Sequence, residues 1–254
     1  MAKFTKREDI EKIRQSGRIL GRVLERLRAF LVPGVTTSFL EEVAQELIAK
    51  EGAKPAFLGY RGFPASLCVS INDEVVHGLP GKRIIKEGDL VSIDVGVEFK
   101  GFYTDAAFSV VVGNGNPMAQ KLVEVTRRAL YEGIRRAIPG NRVGDISHAI
   151  QSTIEREGFS VVRDLVGHGV GKSLHEDPQI PNFGKKGQGA VLEEGMVLAI
   201  EPMANERDYR VKVLEDGWTV VTEDGGLSAH FEHTVIVKRG QPEILTRAER
   251  GDYF

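Results

Sequence analysis

The chain has 254 residues and a net charge of −2, with 34 Lys and Arg against 36 Asp and Glu. Because the positive and negative charges nearly cancel, the protein has no long-range electrostatic field that would attract nucleic acid or a lipid surface. We therefore expect neither a DNA partner nor a membrane partner. The single cysteine excludes an intramolecular disulfide and any Cys-x-x-Cys zinc module, and it is typical of a reducing compartment.

The chain start has no apolar run long enough for a signal peptide, and no later segment could span a bilayer. We therefore expect a cytoplasmic protein. No linker or charge block divides the sequence, so the length predicts one domain over residues 1–254.

Two amphipathic helices are predicted at the beginning of the chain. Thr5 and Glu8 have the spacing of a capping box and precede an apolar face at helical spacing. Ser38 and Glu41 repeat this signature before a second helix that ends at Gly52.

Four arginines recur at every fourth position of the first predicted helix and form a basic stripe: Arg14, Arg18, Arg22 and Arg26. Such a stripe is typical of a solvated helix face. Contact with ribosomal RNA is the alternative interpretation, which local charge alone does not establish.

The second half of the sequence repeats features of the first. A shift of 106 aligns identical residues of the runs 33–52 and 139–158, and a shift of 107 aligns EGDLVSID (87–94) with EGMVLAIE (194–201). Chance similarity between two strands of like composition is the alternative. The agreement of the two offsets favours a duplication.

The duplication predicts an α+β fold with two pseudo-symmetric halves, about 1–115 and 116–254. Each half would contribute a helix pair and an antiparallel strand pair, so that helices cover an antiparallel sheet. Equivalent strand ends of the two halves would then face each other.

Asp94 and Asp105 are predicted to lie close together on one hairpin. Each occurs in a β-branched, apolar context, and a tight turn fits between them. A turn centred on Phe99 and Lys100 would place position 94 opposite 105, with Cβ atoms about 5 Å apart. The alternative, two solvated acids on a sheet edge, suits Asp105 alone but not Asp94.

Three further residues could join these acids. Glu201 ends a strand before Pro202, Glu232 begins the last long strand, and His168 lies between glycines. Four carboxylates and an imidazole cannot share a dry cleft unless a cation compensates them, so we predict a pair of divalent metal ions. A histidine with a purely structural role is the alternative for His168.

These five residues, in this order and these strand contexts, resemble the dinuclear metallopeptidases of the pita-bread (creatinase/aminopeptidase-like) fold, and most closely the type I methionine aminopeptidases. The resemblance covers nearly the whole chain. Its matching segments are S-I-N-D-E-V-V-H-G-L-P around His77, G-D-L-V-S-I-D-V-G around Asp94, G-H-G-V-G around His168, L-H-E-D-P around His175, A-I-E-P around Glu201 and F-E-H-T around Glu232.

The resemblance implies a site for two divalent ions, of Co, Mn, Fe or Zn. In such enzymes the residues that match Asp105 and Glu232 bridge the ions. The match of Asp94 chelates one ion, and the matches of His168 and Glu201 complete the other. Paired ions of this kind acidify a water molecule, which then serves as the nucleophile near neutral pH.

The resemblance also implies catalytic roles for Glu201, His175 and His77. Glu201 would carry a proton, His175 would donate to the developing oxyanion, and His77 would contact the scissile amide. A loop imidazole beside a turn is the alternative for His77, and a surface ion pair with the adjacent acids is the alternative for His175.

An apolar substrate pocket is implied at the residues that match the methionine side-chain pocket of this family: Tyr60, Phe63, Cys68, Leu174 and Trp218. Phe63 stands where a tyrosine is common and Leu174 where an aromatic residue is common. Both differences keep the pocket apolar. Ordinary core packing is the alternative for each residue.

Taken together, the resemblance implies a monomeric, single-domain metalloaminopeptidase that removes the initiator methionine from nascent polypeptides with a small second residue. Contact with the ribosome would suit this activity. The ligand set is shared with prolidases and aminopeptidases P, so a proline-directed peptidase stays an alternative. A pita-bread binding module that has lost catalysis is the other.

Overall fold

The computed structural model of the chain describes residues 3–248. Its helices in this range are α1 (Arg7–Ala29), α2 (Thr37–Lys50), α3 (Pro117–Ile134) and α4 (Val143–Glu155). Its strands are β1 (Lys54–Pro55), β2 (Leu67–Ile71), β3 (Glu74–Val76), β4 (Leu90–Phe99), β5 (Phe102–Val111), β6 (Ser160–Val161), β7 (Val166–Gly169), β8 (Glu176–Pro181), β9 (Val197–Ile200), β10 (Met203–Asn205), β11 (Val211–Val213), β12 (Val220–Thr222), β13 (Ser228–His230), β14 (Glu232–Ile236) and β15 (Glu243–Ile244).

The main sheet has nine strands and antiparallel pairing, in the order β1-β4-β5-β14-β9-β7-β8, with β2 also paired to β4 and β15 to β14. Two smaller sheets, β13-β10-β6 and β11-β12-β3, accompany it. The long strands of the first part of the chain thus pair directly with those of the second, through β5 and β14. The predicted α+β fold with an antiparallel sheet is confirmed.

The helices pack on one face of this sheet. Helix α1 packs against β4 and β5, and α3 packs against α4 and reaches β5, β9 and β14. Alternate residues of β4 enter the core that these helices share: Val91, Ile93, Val95 and Val97. Because side chains alternate along a strand, Asp94 points to the opposite face. Within residues 3–248, no helix is long and apolar enough to cross a membrane.

The turn between β4 and β5 differs by one residue from the predicted turn. Phe99 pairs with Phe102, so the central residues are Lys100 and Gly101, whose φ angles of 52° and 78° are both positive. Positive φ at both central residues is what a two-residue hairpin turn of type I′ requires. The predicted pairing of positions 94 and 105 is therefore wrong.

The two predicted capping boxes are also wrong. Helix α1 begins at Arg7 after Lys6, with no side-chain cap, and the cap of α2 is Thr36, whose Oγ1 accepts a hydrogen bond from the Phe39 amide at 3.3 Å. Glu41 has a tertiary role instead: its carboxylate accepts hydrogen bonds from the amides of Ser66 and Leu67. It fastens the start of β2 to α2.

Two glycines of α1 allow the C-terminal segment to cross the helix closely. A Cβ atom on Gly17 would lie 2.4 Å from the carbonyl oxygen of Leu245, and one on Gly21 would lie 2.3 Å from that of Arg247. Both atoms belong to the backbone, so no side-chain rotation relieves the overlap. This contact joins the first helix to the segment that follows β15.

We expect Gly17→Ala to destabilise the protein by about 1–3 kcal/mol because the helix and the C-terminal segment must move apart. Alanine is the better helix former by about 1 kcal/mol, so helix propensity alone predicts the opposite sign. Urea unfolding measures the change. Gly81→Ala is the control, since Gly81 has open space around it; equal effects of the two substitutions would contradict the close-contact explanation.

Candidate active site

The strand register brings three of the predicted acids together. Asp94 on β4 and Glu232 on β14 both pair with Ala107 of β5, from opposite sides. Asp105 pairs with Gly96, so it lies diagonally across from Asp94 and on the same face. Moving the turn by one residue shifts the partner of Asp94 by two residues, from 105 to 107. Asp94 and Asp105 therefore remain on the same face of the sheet, and their predicted proximity is retained.

Glu201 and His168 come to the same place from β9 and β7. His168 pairs with Ala199, two residues before Glu201. The His168 Nε2 atom lies 3.5 Å from Glu201 Oε1 and 3.9 Å from Asp105 Oδ2. These spans exceed a hydrogen bond and suit ligand atoms that share an ion. Two sets of three residues could each hold a metal ion, because within each set one ligand atom per residue lies within 4.8 Å of the other two. The sets are Asp105, His168 and Glu232, and Glu201, His230 and Glu232.

The glycines that flank His168 let its strand lie tightly between two neighbours. A Cβ atom on Gly167 would be 2.5 Å from the carbonyl oxygen of Ala199, and one on Gly169 would be 2.3 Å from that of Asp177. The pairing with β8 also shifts register between the two glycines. Glycine is needed at both positions because the backbone of β9 or β8 occupies the space of a side chain.

The acids are buried, and several of their oxygens have no partner. Asp94 Oδ1, Asp105 Oδ1 and Glu232 Oε1 are each buried without a hydrogen bond. Burial raises the pKa of Asp94 to about 7. Burial, with the charge of Glu232 next, holds the pKa of Asp105 well above its ordinary value. Unpartnered buried carboxylates of this kind are the expected state of a cation site.

The two carboxyl groups that complete the cluster behave alike. Burial first, and then the charges of Asp105 and Asp94, raise the pKa of Glu201 well above its ordinary value. Burial and the charge of Glu201 do the same to the pKa of Glu232. Burial lowers the pKa of His168 to about 4, so its imidazole is neutral near pH 7 and able to ligate a metal.

His175 and His77 line the same cavity, and the His175 ring lies 4.2 Å from the His168 ring, centroid to centroid. The His175 Nδ1 atom is 2.9 Å from the hydroxyl of Tyr60, and the two rings stack with centroids 5.2 Å apart. The neighbouring Glu176 accepts hydrogen bonds from the amides of Lys172 and Ser173. The contact of His175 with Tyr60 favours the site role over the surface ion pair with the adjacent acids, which stays an alternative.

His77 adopts a left-handed backbone conformation, with φ of 59°. This conformation is uncommon for a residue other than glycine, and it is retained only where the surroundings enforce it. Gly78 supplies part of that enforcement, since its amide donates to Ser70 Oγ and a Cβ atom on it would lie 2.3 Å from the carbonyl oxygen of Val69. The strained turn directs His77 into the cavity.

The predicted apolar residues form the wall of the cavity. Phe63 meets Trp218 edge to face, with ring centroids 5.1 Å apart, and both pack with Cys68 and Leu174. The Asp216 carboxylate accepts hydrogen bonds from the amides of Trp218 and Thr219 and so fixes the turn that presents the indole. Leu174 is buried, in place of an aromatic ring.

All twelve residues predicted for the site line this one cavity of about 180 Å³: Tyr60, Phe63, Cys68, His77, Asp94, Asp105, His168, Leu174, His175, Glu201, Trp218 and Glu232. A larger groove, about 690 Å³, lies along α3 and α4. Of the two, only the smaller contains buried acids without partners. The smaller cavity is therefore the candidate active site.

Three residues near the acids were missed by sequence reasoning. Phe57 and Arg61 line the cavity. His230 is buried, its Nε2 atom has no partner, and it lies 3.8 Å from Glu201 Oε2. His230 could have been found from its place two residues before Glu232, but Phe57 and Arg61 give no local signal.

Residues 11–239 match the family model described as Metallopeptidase family M24. The chain belongs to this family. It is 53% identical over 238 residues to a methionine aminopeptidase of Clostridium perfringens, which covers 94% of this chain and 96% of that protein. It is 51% identical over 235 residues to methionine aminopeptidase 1 of Bacillus subtilis, covering 92% and 95%.

Solved structures agree with this assignment. The methionine aminopeptidase of Thermotoga maritima superposes with a TM-score of 0.95 at 50% identity, covering 97% of this chain and 100% of that one. The prolidase of Pyrococcus furiosus superposes with a TM-score of 0.80 at 23% identity and covers 66% of that chain, which shows a shared fold only. The predicted pita-bread fold and the resemblance to type I methionine aminopeptidases are confirmed.

Membership of a metallopeptidase family implies that the chain uses divalent metal. The side chains present fit such an ion, because hard carboxylate oxygens and neutral imidazole nitrogen are ligands that Mn, Fe, Co and Zn accept. The unpartnered oxygens of Asp94, Asp105 and Glu232 supply the negative charge to hold it.

Proposed function

We propose that this chain removes the N-terminal methionine from new polypeptides whose second residue is small. One observation carries the proposal: a cluster of buried, unpartnered carboxylates and an aromatic, apolar wall line the same cavity. The relatives that the chain matches along nearly their whole length are named methionine aminopeptidases, which supports it.

The five clustered residues would hold two divalent ions. Asp105 on β5 and Glu232 on β14 stand on strands between β4, which carries Asp94, and β9 and β7. Asp105 and Glu232 would therefore hold both ions, Asp94 would complete one position, and His168 with Glu201 would complete the other. Bound divalent ions would supply a hydrolytic nucleophile near neutral pH by acidifying water. Co, Mn, Fe and Zn are all compatible with the donor set, and both the number and the identity of the ions belong to the proposal.

The other polar residues would act on the substrate. Glu201 would carry a proton, because its carboxylate lines the same cavity as the two histidines that would face the substrate. With the Tyr60 hydroxyl, 2.9 Å from His175 Nδ1, acting as the donor, the His175 proton would lie on Nε2 and could be donated to the developing oxyanion. His77 contacts the amide nitrogen of the second residue.

A free N-terminal amine explains why the enzyme acts at chain ends. Its reference pKa is about 8, so a neutral fraction exists near pH 7 and can ligate an ion, whereas an internal peptide nitrogen cannot. The methionine side chain would then pack against the apolar residues that line the cavity: Tyr60, Phe63, Cys68, Leu174 and Trp218. A flexible thioether packs well against aromatic edges.

Trp218→Ala tests the pocket. We expect the KM for a Met-Ala-Ser peptide to rise about tenfold with a smaller change in kcat, because the indole contacts the methionine side chain in the ground state and the transition state alike. Steady-state kinetics measure both constants. Leu58→Ala, an exposed apolar residue of the neighbouring loop, is the control. A fall in kcat alone would contradict a binding role for Trp218.

Two alternatives are tested by one assay. A proline-directed peptidase would cleave Ala-Pro peptides, and a binding module without catalysis would cleave nothing. With Mn, Co, Fe or Zn added in turn, we expect hydrolysis of Met-Ala-Ser and none of the Ala-Pro peptide. Cleavage of the Ala-Pro peptide alone, or of neither peptide under any metal, would overturn the proposed function.

The substrates we propose are nascent polypeptide N-termini, and the cytoplasmic location and the monomeric state stay predictions. Ribosome contact also stays a prediction. Three arginines of the basic stripe form ion pairs: Arg14 with Glu243, Arg18 with Glu11 and Arg22 with Glu51. This neutralisation favours a solvated face over an RNA-binding surface on α1.

A further inference from the structure

Arg61 is the remaining charged residue of the cavity that the proposed mechanism does not use. It lies in the short turn Tyr60–Gly62 with φ of 51°, an uncommon conformation for arginine. Its guanidinium sits over the Tyr60 ring, 5.3 Å from the centroid. Its charge also helps to lower the pKa of His175, after burial and the charge of His168, which places the cation near the imidazole.

The guanidinium has no acidic partner in residues 3–248. Arg14, by contrast, pairs with Glu243, and Arg22 pairs with Glu51. Arg61 instead faces outward, exposed at the rim of the cavity. A cation held by a constrained backbone, stacked on a ring and left without a counter-ion, is arranged to meet a charge that the protein does not supply.

The charge balance of the loaded cavity points the same way. Four carboxylates line it, and two divalent ions would compensate their four negative charges. Among the described residues, no lysine and no second arginine lines the cavity. Arg61 is therefore a cation at the rim, beside carboxylates whose charge the ions would compensate.

Arg61 lies on the side of the cavity where the substrate residues C-terminal to the scissile bond would pass. Tyr60, on which it stacks, binds His175, the residue we assign to the scissile carbonyl. The methionine side chain occupies the apolar wall, and the small second residue lies at the histidines. An extended chain advances about 3.3 Å per residue, so the third residue passes the rim within reach of an arginine side chain.

We propose that Arg61 is a specificity-determining residue that favours substrates with an acidic side chain at the third position and disfavours those with a basic one. This inference rests on the proposed function. The ligand chemistry is a carboxylate, and the C-terminal carboxylate of a very short peptide could supply it as well. An exposed ion pair changes affinity by about two- to fivefold, and salt screens it.

The test uses the metal-loaded full chain and peptides of the form Met-Ala-Xaa-Ser with a C-terminal amide, where Xaa is Asp, Asn or Lys. We expect kcat/KM to fall in the order Asp, Asn, Lys, with an Asp/Lys ratio of about tenfold that resides in KM. Salt at 0.5 M reduces this ratio by screening. R61Q brings the ratio close to 1, R61K retains most of it, and R61E inverts it.

Arg163 provides the matched control. It is exposed and lies 4.1 Å from the centroid of the Tyr209 ring, but it does not line the cavity. R163Q should keep the tenfold ratio. A ratio that survives in R61Q, or that is lost equally in R163Q, overturns the inference.

Two further outcomes separate the inference from the proposed function. If the wild-type chain does not cleave the Asn peptide, the proposed function fails. If it cleaves that peptide but the Asp and Lys peptides are equally good substrates, only the role of Arg61 fails. Dependence on Arg61 for a free-acid Met-Ala-Ser peptide, with none for the amidated series, means that the chain terminus is bound and overturns the side-chain preference.

Discussion

Asp105→Ala is expected to reduce kcat/KM for a Met-Ala-Ser peptide by at least about 1,000-fold, which corresponds to roughly 4 kcal/mol of lost transition-state stabilisation. Asp105 lies between Asp94, His168 and Glu232, so its loss weakens both proposed ion positions at once. Metal content, measured on the purified variant after dialysis, should fall together with activity.

The fold should survive this substitution, which keeps the result interpretable. The Asp105 amide donates to Thr234 Oγ1 at 2.9 Å and its carbonyl accepts from the same hydroxyl at 2.7 Å, and both bonds are independent of the side chain. Removing one of four crowded carboxylates also relieves repulsion in the ion-free protein. Asp164→Ala, at an exposed acid away from the cavity, is the control. An Asp105→Ala protein that binds metal and hydrolyses peptide at the wild-type rate would contradict the proposed site.

The hairpin of β4 and β5 illustrates what the sequence could and could not predict. The two strands, and the shared face of Asp94 and Asp105, can be predicted from the alternation of apolar residues. This alternation is unchanged when the strand register shifts by an even number of residues. The position of the turn cannot be predicted in this way, because Lys100 adopts a positive φ that is usually associated with Asn, Asp or Gly. The sequence signal was therefore weak where the register is decided.

The missed and misassigned residues share one cause, which is contact between segments far apart in sequence. Glu41 has the sequence spacing of a capping-box residue, yet its carboxylate accepts hydrogen bonds from the amides at the start of β2. Phe57 reaches the site because Gly96 leaves room for its ring, 2.5 Å from where a Cβ atom would be. Neither contact has a periodicity or spacing that a single sequence displays. The division into halves of about 1–115 and 116–254 stays a prediction.

Removal of the metal ions is expected to make the stability of the protein fall as pH rises. Without ions, burial raises the pKa of Asp94 from its ordinary value of 3.8 to about 7, and the pKa values of Asp105, Glu201 and Glu232 are raised well above theirs. Burial also lowers the pKa of His168 to about 4 and those of His175 and His230 to about 3, so these imidazoles give the opposite slope below their ordinary pKa of 6.5. Above about pH 6.5 the histidines are neutral in both states, and the folded chain binds more protons than the unfolded chain. In that window the stability supplied by the raised carboxyl pKa values is lost as pH rises through the folded values.

The expected slope is about 1.4 kcal/mol per pH unit for each group that titrates in the window, as an upper limit. Urea unfolding in a chelator at pH 6.5, 7, 7.5 and 8 measures it. With ions restored, the positive charge compensates the carboxylates, and the gap in stability between loaded and ion-free protein should widen over this range. Ion-free Asp94→Asn protein is the matched control and should show a shallower slope over the same range. A contradicting result would be an ion-free wild-type protein whose stability stays constant or rises over this range. Burial would then not keep the carboxyl groups protonated, and the argument that cations must compensate them would fail.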